Sequence, residues 1–382
     1  MSRGARLNGL FVLEGLNGLS TTYYFYYLYF FTREHFGFGR MENLLLAASL
    51  GLIYMISSLQ GGRFGQRHGY IKAFQLGAGL LSASLFAGAF LTSLAGHAVV
   101  VVVATVGTCL TWPTLEAMVC HGASPAELPR RVGLYNVVWA VGGAAAFFSG
   151  GLIRDTFGPR SLFLLPAAIA AMELLLAVKL GGNAFAADPE SAGPAPVPPA
   201  QNKKFLGLAW WANPFAYLGI NTVLALMPSL ATKLQLTTGQ AGLAGSLWMF
   251  VRALSFFGLW QWPGWHYRFG WLAAAFLSMA AGFMGVLLSP NLALLIIAQV
   301  FLGAGLGVIY YSSLFYSMDA GEAKSEHGGI HEAAIGLGNC VGPAVGAGAL
   351  YFFPASGHAA AWAVAIVLSG GFAGLVWRRG RG

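Results

Sequence analysis

The sequence contains few charged residues. Only 9% of its 382 residues are Asp, Glu, Lys or Arg, whereas 57% are hydrophobic. An average soluble domain has about 25% charged residues. Because a soluble fold cannot hide so much apolar surface, the composition predicts an integral membrane protein and counts against a soluble enzyme.

Cysteine is also scarce. The 3 cysteines fall in or at the edge of apolar runs and show no metal-ligand spacing, so we expect no disulfide, metal or cofactor. The net charge is +8, from 21 basic and 13 acidic residues. In a membrane protein this balance is typical of basic cytoplasmic loops that face anionic lipid. We therefore expect the lipid bilayer, and not a nucleic acid, as the partner of the basic surface.

Long apolar runs dominate the chain. A membrane-spanning helix needs roughly 20 apolar residues to cross about 30 Å of hydrocarbon. Twelve such runs lie near 7–31, 41–60, 70–93, 98–120, 131–153, 161–180, 205–231, 239–260, 271–289, 292–316, 328–352 and 358–377. Most of the 21 Lys and Arg residues fall on the side that holds both termini, which the positive-inside rule assigns to the cytoplasm. The sequence thus predicts an all-α protein of a bacterial inner membrane, with both termini cytoplasmic.

The runs divide into two groups of six. Between them, AADPESAGPAPVPPAQNKK (186–204) is rich in Pro and Ala and polar at both ends, which is typical of a linker. Sliding the second group onto the first pairs GLYNVVWAVGGAAAFFSGG (133–151) with GIHEAAIGLGNCVGPAVGA (329–347). We predict two pseudo-symmetric six-helix halves, 1–185 and 205–382, joined by a cytoplasmic linker.

The arrangement resembles the major facilitator superfamily. The most specific sign is SSLQGGRFGQRHG (57–69), which is similar to the family's loop motif between helices two and three. Arg63, Gly65 and Arg67 match the motif, but Gly62 stands where the family has the Asp that latches the loop to a neighbouring helix. The family's Gly-Pro pair in helix five and the basic residue of many drug antiporters in helix four are missing, which argues against a proton-driven drug exporter.

Ionisable side chains within spans are expensive and are functional candidates by default. Glu173, in the sixth span, is interpreted as structural. The candidates for proton coupling or for gating between the halves are Glu14, Glu116, Glu332, His331 and Asp319.

Arg252 is the one Lys or Arg left inside a span once the loops are assigned. An arginine at the bilayer centre costs about 2.5–3.5 kcal/mol on insertion scales, so it should face a cavity or a partner. It is either the anchor of a bound anion or half of a structural ion pair with Glu332 or Glu116. We expect it to bind substrate, and to pair with a carboxylate when the site is empty.

Other polar and aromatic residues share helix faces with these groups. In the family that the sequence resembles, the first, fourth, seventh and tenth helices line the cavity, flanked by the fifth, eighth and eleventh. The run TTYYFYYLYFF (21–31) has tyrosines on every face of the first span, so some of them should anchor the interface and others bind substrate. The predicted substrate-binding residues are Arg252, Trp248, Tyr24, Tyr27, Asn17, Thr21, Asn136, Tyr217, Asn221 and Asn339.

The resemblance and these residues together predict a secondary active transporter, not an enzyme. It would move a small organic anion by alternating access, in symport with protons, and act as a monomer. Monocarboxylate and oxalate carriers of the superfamily place an arginine in the corresponding eighth helix, which favours an anion. The alternatives are an exporter of amphipathic drugs or lipids, and a non-transporting assembly or sensor protein on the same fold.

Overall fold

The structure is a computed structural model that describes residues 3–124, 126–181, 200–319 and 324–381. Within these ranges the regular structure is helical throughout. The helices are α1 Arg3–Phe36, α2 Arg40–His68, α3 Tyr70–Gly88, α4 Leu94–Cys120, α5 Leu128–Phe157, α6 Ser161–Leu180, α7 Ala200–Lys233, α8 Thr238–Gly245, α9 Leu247–Gln261, α10 Phe269–Leu288, α11 Leu292–Asp319, α12 Lys324–Phe352 and α13 Ala359–Arg381, with a 3-10 turn at Pro263–Trp265.

The prediction of an all-α membrane protein is confirmed. Among the described residues, 11 helical segments are long and apolar enough to span a bilayer, with α8 and α9 together forming one of them. The further long helix is α1, which has 34 residues but is less apolar because of its tyrosines, asparagines and threonines. The predicted linker, 186–204, lies outside the described residues except for its last five, which belong to α7.

We call the end of the molecule at which α1 begins the inner end, and the opposite end the outer end. Successive spans cross the molecule in opposite directions, so α4 ends and α12 begins at the inner end. The sequence predicts that the inner end faces the cytoplasm.

The two halves approach each other closely along two pairs of helices. A Cβ atom on Gly51 of α2 would lie 2.2 Å from the backbone nitrogen of Cys340 in α12. On the other side of the molecule, a Cβ on Gly151 of α5 would lie 2.5 Å from the carbonyl oxygen of Thr238 in α8. Glycine is therefore required at both contacts, as is common where membrane helices pack without large side chains between them. These two seams leave a cavity between the halves.

The eighth span is broken at Ser246, between α8 and α9. The side chain of Gln299, from α11, bridges the break. Its Nε2 donates to the carbonyl oxygen of Ala244 at 2.7 Å, and its Oε1 accepts from the backbone nitrogen of Trp248 at 3.4 Å. The amide thus satisfies backbone groups that the break leaves without helical partners, which the membrane interior requires.

The segment that resembles the family's loop motif continues α2 as a helix. Only Gly69, with a φ of 99°, separates α2 from α3. Arg63 and Arg67 are exposed, while Gly65 is buried. Gly62 meets α12, where a Cβ on Gly329 would lie 3.4 Å from the Cα of Gly62. Close helix packing thus occupies the position at which the family has its Asp.

Candidate functional site

A cavity of ≈ 190 Å³ lies between the halves. It is bounded by α1, α2, α4 and α5 from the first half and by α7, α9, α11 and α12 from the second. Aromatic rings form a large part of its wall: Phe25, Tyr26, Tyr29, Tyr54, Trp112, Trp139, Phe147, Tyr217, Trp248 and Tyr310. Its polar groups are Thr21, Thr22, Thr105, Thr108, Asn221, Arg252, Glu332 and Asn339. A largely apolar cavity with a few polar groups is typical of a small-molecule site.

Arg252 is the positive charge of this cavity. Its side chain is only 2% exposed, and its guanidinium carbon lies 4.5 Å from the ring centre of Trp139 and 4.6 Å from that of Tyr310. One Nη donates to the Tyr217 hydroxyl at 3.0 Å. The faces of the guanidinium are thus covered by rings, an arrangement that stabilises a cation through cation–π attraction.

The expected carboxylate partner of Arg252 is not observed. No Asp or Glu among the described residues lies within 4.0 Å of its nitrogens, and its Nε has no hydrogen-bond partner in the same part of the chain. In this conformation aromatic rings from α5 and α11 cover the guanidinium, and its charge acts on Glu332 only from beyond ion-pair distance, so close pairing of Arg252 with a carboxylate stays a prediction. The edge of the guanidinium keeps donors that are not used by protein acceptors.

On the second-half side of the cavity, the side-chain amides of two asparagines are hydrogen-bonded to each other; we call them the amide pair. Asn221 of α7 donates from Nδ2 to Oδ1 of Asn339 in α12. Both residues line the cavity together with Tyr217, as predicted from their helix faces, and Trp248 lines it as well. The Nε1 of Trp248 is buried and has no acceptor among the described residues, so it can donate to a bound molecule.

A cluster of acidic groups lies at the inner end of the cavity. Ligand atoms of Glu116, His331 and Glu332 lie within 4.8 Å of one another, although Glu116 belongs to α4 and the other two to α12. The Tyr54 hydroxyl donates to Glu332, and Nδ1 of His331 lies 2.9 Å from the Ser313 hydroxyl. Both oxygens of Glu116 are buried, and the Glu116 carboxyl group lies against that of Glu332, close enough for the two to share a proton. The structure thus brings together three residues that the sequence named as coupling or gating candidates.

Three other predicted residues lie inside the first half. Glu14, Asn17 and Asn136 are 0% exposed and do not line the cavity. The Tyr135 hydroxyl lies beside Glu14. Of the predicted polar face of the first span, only Thr21 reaches the cavity.

The two tyrosines predicted to bind substrate face away from the cavity. Tyr24 packs against Phe163 of α6, with 5.9 Å between the ring centres, and the Tyr27 hydroxyl donates to the carbonyl oxygen of Phe147 at 2.6 Å. Tyr26 and Tyr29 line the cavity instead. Positions 21, 22, 25, 26 and 29 of α1 line the cavity in this conformation, so a substrate-binding role of Tyr24 and Tyr27 stays a prediction. Asp319 ends α11, and its side chain lies outside the described residues.

Sequence reasoning missed Trp139, Tyr310 and Tyr54, which contact the charged groups directly. Trp139 follows Asn136 by three positions and so shares its helix face, which was the available signal. Tyr310 and Tyr54 stand among apolar residues whose pattern does not distinguish a cavity wall from a packed core.

A second pocket opens at the outer end. It has a volume of ≈ 650 Å³ and contains the basic side chains of Arg33, Arg40, Lys233 and His358. Arg33 donates to the Ser229 hydroxyl at 3.1 Å, and Lys233 donates to the carbonyl oxygen of Ser289 at 2.9 Å. Among the described residues no carboxylate forms an ion pair with these groups, so the pocket carries positive charge.

The outer end is also held by polar contacts between the halves. Glu34 accepts from Arg154 at 2.6 Å and from the Thr238 hydroxyl at 3.0 Å. The backbone nitrogen of Gly239 donates to Asp155 at 3.0 Å. Thr238 and Gly239 begin α8 in the second half, whereas the acidic residues belong to the first. Separation of the halves at this end must break these contacts.

A cavity between two helical halves, with a buried charge near the middle of a span, is typical of a membrane transporter. The chain belongs to the major facilitator superfamily, because the family model for the Major Facilitator Superfamily matches residues 10–343. No curated protein sequence gives a significant match.

Solved structures with the same fold are transporters. The human organic anion transporter MFSD10 (TETRAN) has a TM-score of 0.76 and 15% identity, with 99% of this chain and 100% of that chain covered. The nucleoside transporter NupG has a TM-score of 0.72 and 13% identity, covering 97% and 99% of the two chains. A bacterial homologue of the human lysosomal transporter Spinster has a TM-score of 0.70 and 15% identity, covering 99% and 96%. At these identities the likeness concerns the fold.

Proposed function

We propose that this transporter carries a small organic anion and couples its movement to protons, in symport. The observation that carries the proposal is Arg252, a buried cation that lies in the cavity and has no carboxylate within ion-pair distance among the described residues. A planar guanidinium with free N–H groups on its edge matches a carboxylate or a similar group bidentately.

The surroundings of Arg252 support an anion with an apolar body. The charged group of such a molecule would meet the edge of the guanidinium. Its body would contact the aromatic wall, and the amide pair of Asn221 and Asn339 would offer further hydrogen bonds. The basic pocket at the outer end supports the same sign of charge, because its positive potential attracts anions to that end of the molecule.

Comparison with solved structures is consistent with this substrate class but does not select it. MFSD10 is an organic anion transporter, whereas NupG carries nucleosides on the same fold. The proposal therefore depends on the residues of this cavity.

The acidic cluster supports proton coupling. Two carboxyl groups as close as those of Glu116 and Glu332 cannot both ionise at low cost in a buried site. Because they belong to different halves, taking up or releasing a proton changes the attraction between the halves. We propose that the protein lies in a bacterial inner membrane with both termini in the cytoplasm. We also propose that the monomer is the transporting unit.

The test is thermal stabilisation of the purified protein by a panel of organic anions, cations, sugars and lipids at two pH values. We expect anions with an apolar body to raise the Tm of the wild-type protein and to have no effect on Arg252→Gln. Arg378→Gln is the matched control, because Arg378 also lies over a ring, 4.3 Å from the centre of Trp211, but on the exposed surface. Stabilisation by anions that survives in Arg252→Gln contradicts the proposal.

The aromatic wall also favours a second candidate, an exporter of amphipathic drugs or lipids. This candidate predicts stabilisation by lipophilic cations or lipids that does not depend on Arg252. Expression in a drug-sensitive host would then lower susceptibility to such compounds. The same panel therefore separates the two functions.

A further inference from the structure

We propose that Glu116, His331 and Glu332 form a binding site for a divalent transition-metal cation of the Zn²⁺ or Mn²⁺ type, which joins the two halves at the inner end of the cavity. The site goes beyond the proposed function, which assigns only protons to this cluster.

The geometry of the three side chains suits a shared ion. Their ligand atoms lie within 4.8 Å of one another. Ligand atoms around one Zn²⁺, with bonds of about 2.0–2.2 Å, are roughly 3–4 Å apart. A shared ion would therefore draw the ligand atoms about one ångström closer together than they lie in this structure.

The charge of the cluster also calls for a cation. Glu116 and Glu332 are 1% and 3% exposed. Among the described residues, neither carboxylate has a Lys or Arg nitrogen within 4.0 Å, and the two salt bridges found there are Arg131–Glu127 and Arg154–Glu34. The charge of Arg252 acts on Glu332 from beyond ion-pair distance, whereas no cation among the described residues neutralises Glu116 in this way, and a buried carboxylate without a close counter-charge is strongly destabilising. When both carboxyl groups are ionised, a divalent cation would neutralise them together.

His331 is oriented to complete the site. Its side chain is 0% exposed, and its Nδ1 lies 2.9 Å from the Ser313 hydroxyl. When Nδ1 carries the proton and donates it to Ser313, the lone pair of Nε2 is left for a ligand. Nε2 is buried and has no hydrogen-bond partner among the described residues. Metal-binding histidines are commonly held in this way by a hydrogen bond from the other ring nitrogen.

The ligand types indicate which ions fit. One imidazole and two carboxylates suit Zn²⁺, Mn²⁺ and similar ions, whereas Mg²⁺ and Ca²⁺ prefer oxygen ligands alone. Water can supply a further oxygen ligand. We therefore expect Zn²⁺ to bind more tightly than Mg²⁺.

The position of the site gives it a consequence for transport. Glu116 belongs to the first half and the other two ligands to the second, so a bound ion links α4 to α12. Opening of the cavity toward the inner end must separate these helices. A bound ion therefore stabilises the closed inner end and inhibits transport.

The experiment measures metal binding to purified, tag-free protein in the absence of substrate. Equilibrium dialysis with Zn²⁺ should give one ion per chain for the wild-type protein, and Mg²⁺ at the same concentration should not compete. Glu116→Gln, His331→Gln and Glu332→Gln should each weaken Zn²⁺ binding by at least tenfold. Glu173→Gln, which alters a buried carboxyl group outside the cluster, should bind as the wild type does. Less than half an ion per chain, or equal binding by all variants, overturns the proposal.

X-ray absorption on the Zn²⁺-loaded wild type is independent of how the variants fold. It should show one imidazole and oxygen ligands, while sulfur ligands would assign the ion to the cysteines and overturn the proposal. Because these measurements need no transported substrate, failure of the metal site leaves the anion proposal standing. Failure of the anion panel likewise leaves the metal result unchanged.

Discussion

Arg252 and the pair formed by Glu116 and Glu332 are buried charged groups that lie in or beside the same cavity, and their surroundings differ. Around Arg252 the protein supplies ring faces, with Trp139 and Tyr310 at 4.5 and 4.6 Å. Around the carboxyl groups it supplies Tyr54 and His331, together with a further carboxyl group in Glu14. The cation is therefore stabilised in the empty protein, whereas the acidic pair depends on a proton or a cation from outside.

Magnitudes support this difference. A desolvated cation–π contact is worth about 2 kcal/mol, so two such contacts are comparable with the roughly 2.5–3.5 kcal/mol that a central arginine costs on insertion. Ring faces offer no equivalent stabilisation to a carboxylate, because their electrostatic potential is negative. The cavity thus contains a cation that is stabilised before an anion binds and a pair of carboxyl groups that a bound proton or metal cation stabilises.

The largest expected effect comes from removing the cation. Truncating one partner of a buried charge pair costs about 2–5 kcal/mol, so Arg252→Gln should lower kcat/KM for anion uptake into proteoliposomes by roughly 30-fold or more. Arg252→Lys keeps the charge but loses the planar edge, and we expect intermediate uptake. Arg378→Gln serves as the control. Wild-type uptake by Arg252→Gln would show that the cavity cation does not bind the substrate.

The second-largest expected effect distinguishes the role of Glu116 and Glu332 from the role of Arg252. Glu332→Gln has no proton to release from this position, so accumulation driven by a pH gradient should fall about tenfold or more. Exchange of labelled for unlabelled substrate without a gradient should continue, because Arg252 is intact. Glu173→Gln should keep both activities. Equal loss of accumulation and exchange in Glu332→Gln would contradict separate roles for the two sites.

A smaller effect tests the ring faces. Trp139→Leu removes one of the two closest rings, and a loss of about 1–2 kcal/mol should raise KM by roughly 5- to 30-fold. Phe25→Leu, which changes another ring of the cavity wall, is the matched control and should affect KM less. If both variants behave alike, the wall acts only through its apolar area.

The smallest effect extends the comparison to the outer pocket. Its basic groups are more exposed than Arg252 and act at a distance, so Arg40→Gln should raise KM by only about two- to threefold at low ionic strength. The difference from wild type should vanish at about 1 M salt, where the Debye length is about 3 Å. A difference that persists in high salt would indicate a direct contact with the substrate.

The sequence was sufficient to predict the fold and several cavity residues. Charge scarcity and twelve apolar runs led to the transporter fold, and the cost of charge in a span singled out Arg252 and Glu332. Tyr217, Asn221 and Asn339 were found because a polar residue on an apolar helix is visible against its neighbours.

Other features of the site depend on how helices rotate and which helices meet. Tyrosines occupy every face of the first span, so periodicity did not distinguish Tyr26 from Tyr24. Trp139 and Arg252 are far apart in sequence and belong to different halves, so their contact has no local signal. The break at Ser246 was not predicted either, because Gln299, which hydrogen-bonds across it, belongs to α11 and is distant from it in the sequence.

The contact between Trp139 and Arg252 has a consequence for biosynthesis. The arginine enters the membrane with the second half, but its ring partners come from α5, made earlier, and from α11, made later. A second half produced alone would lack Trp139, so one of the two rings closest to the Arg252 guanidinium would be missing. We therefore expect assembly of the two halves to complete the burial of this charge.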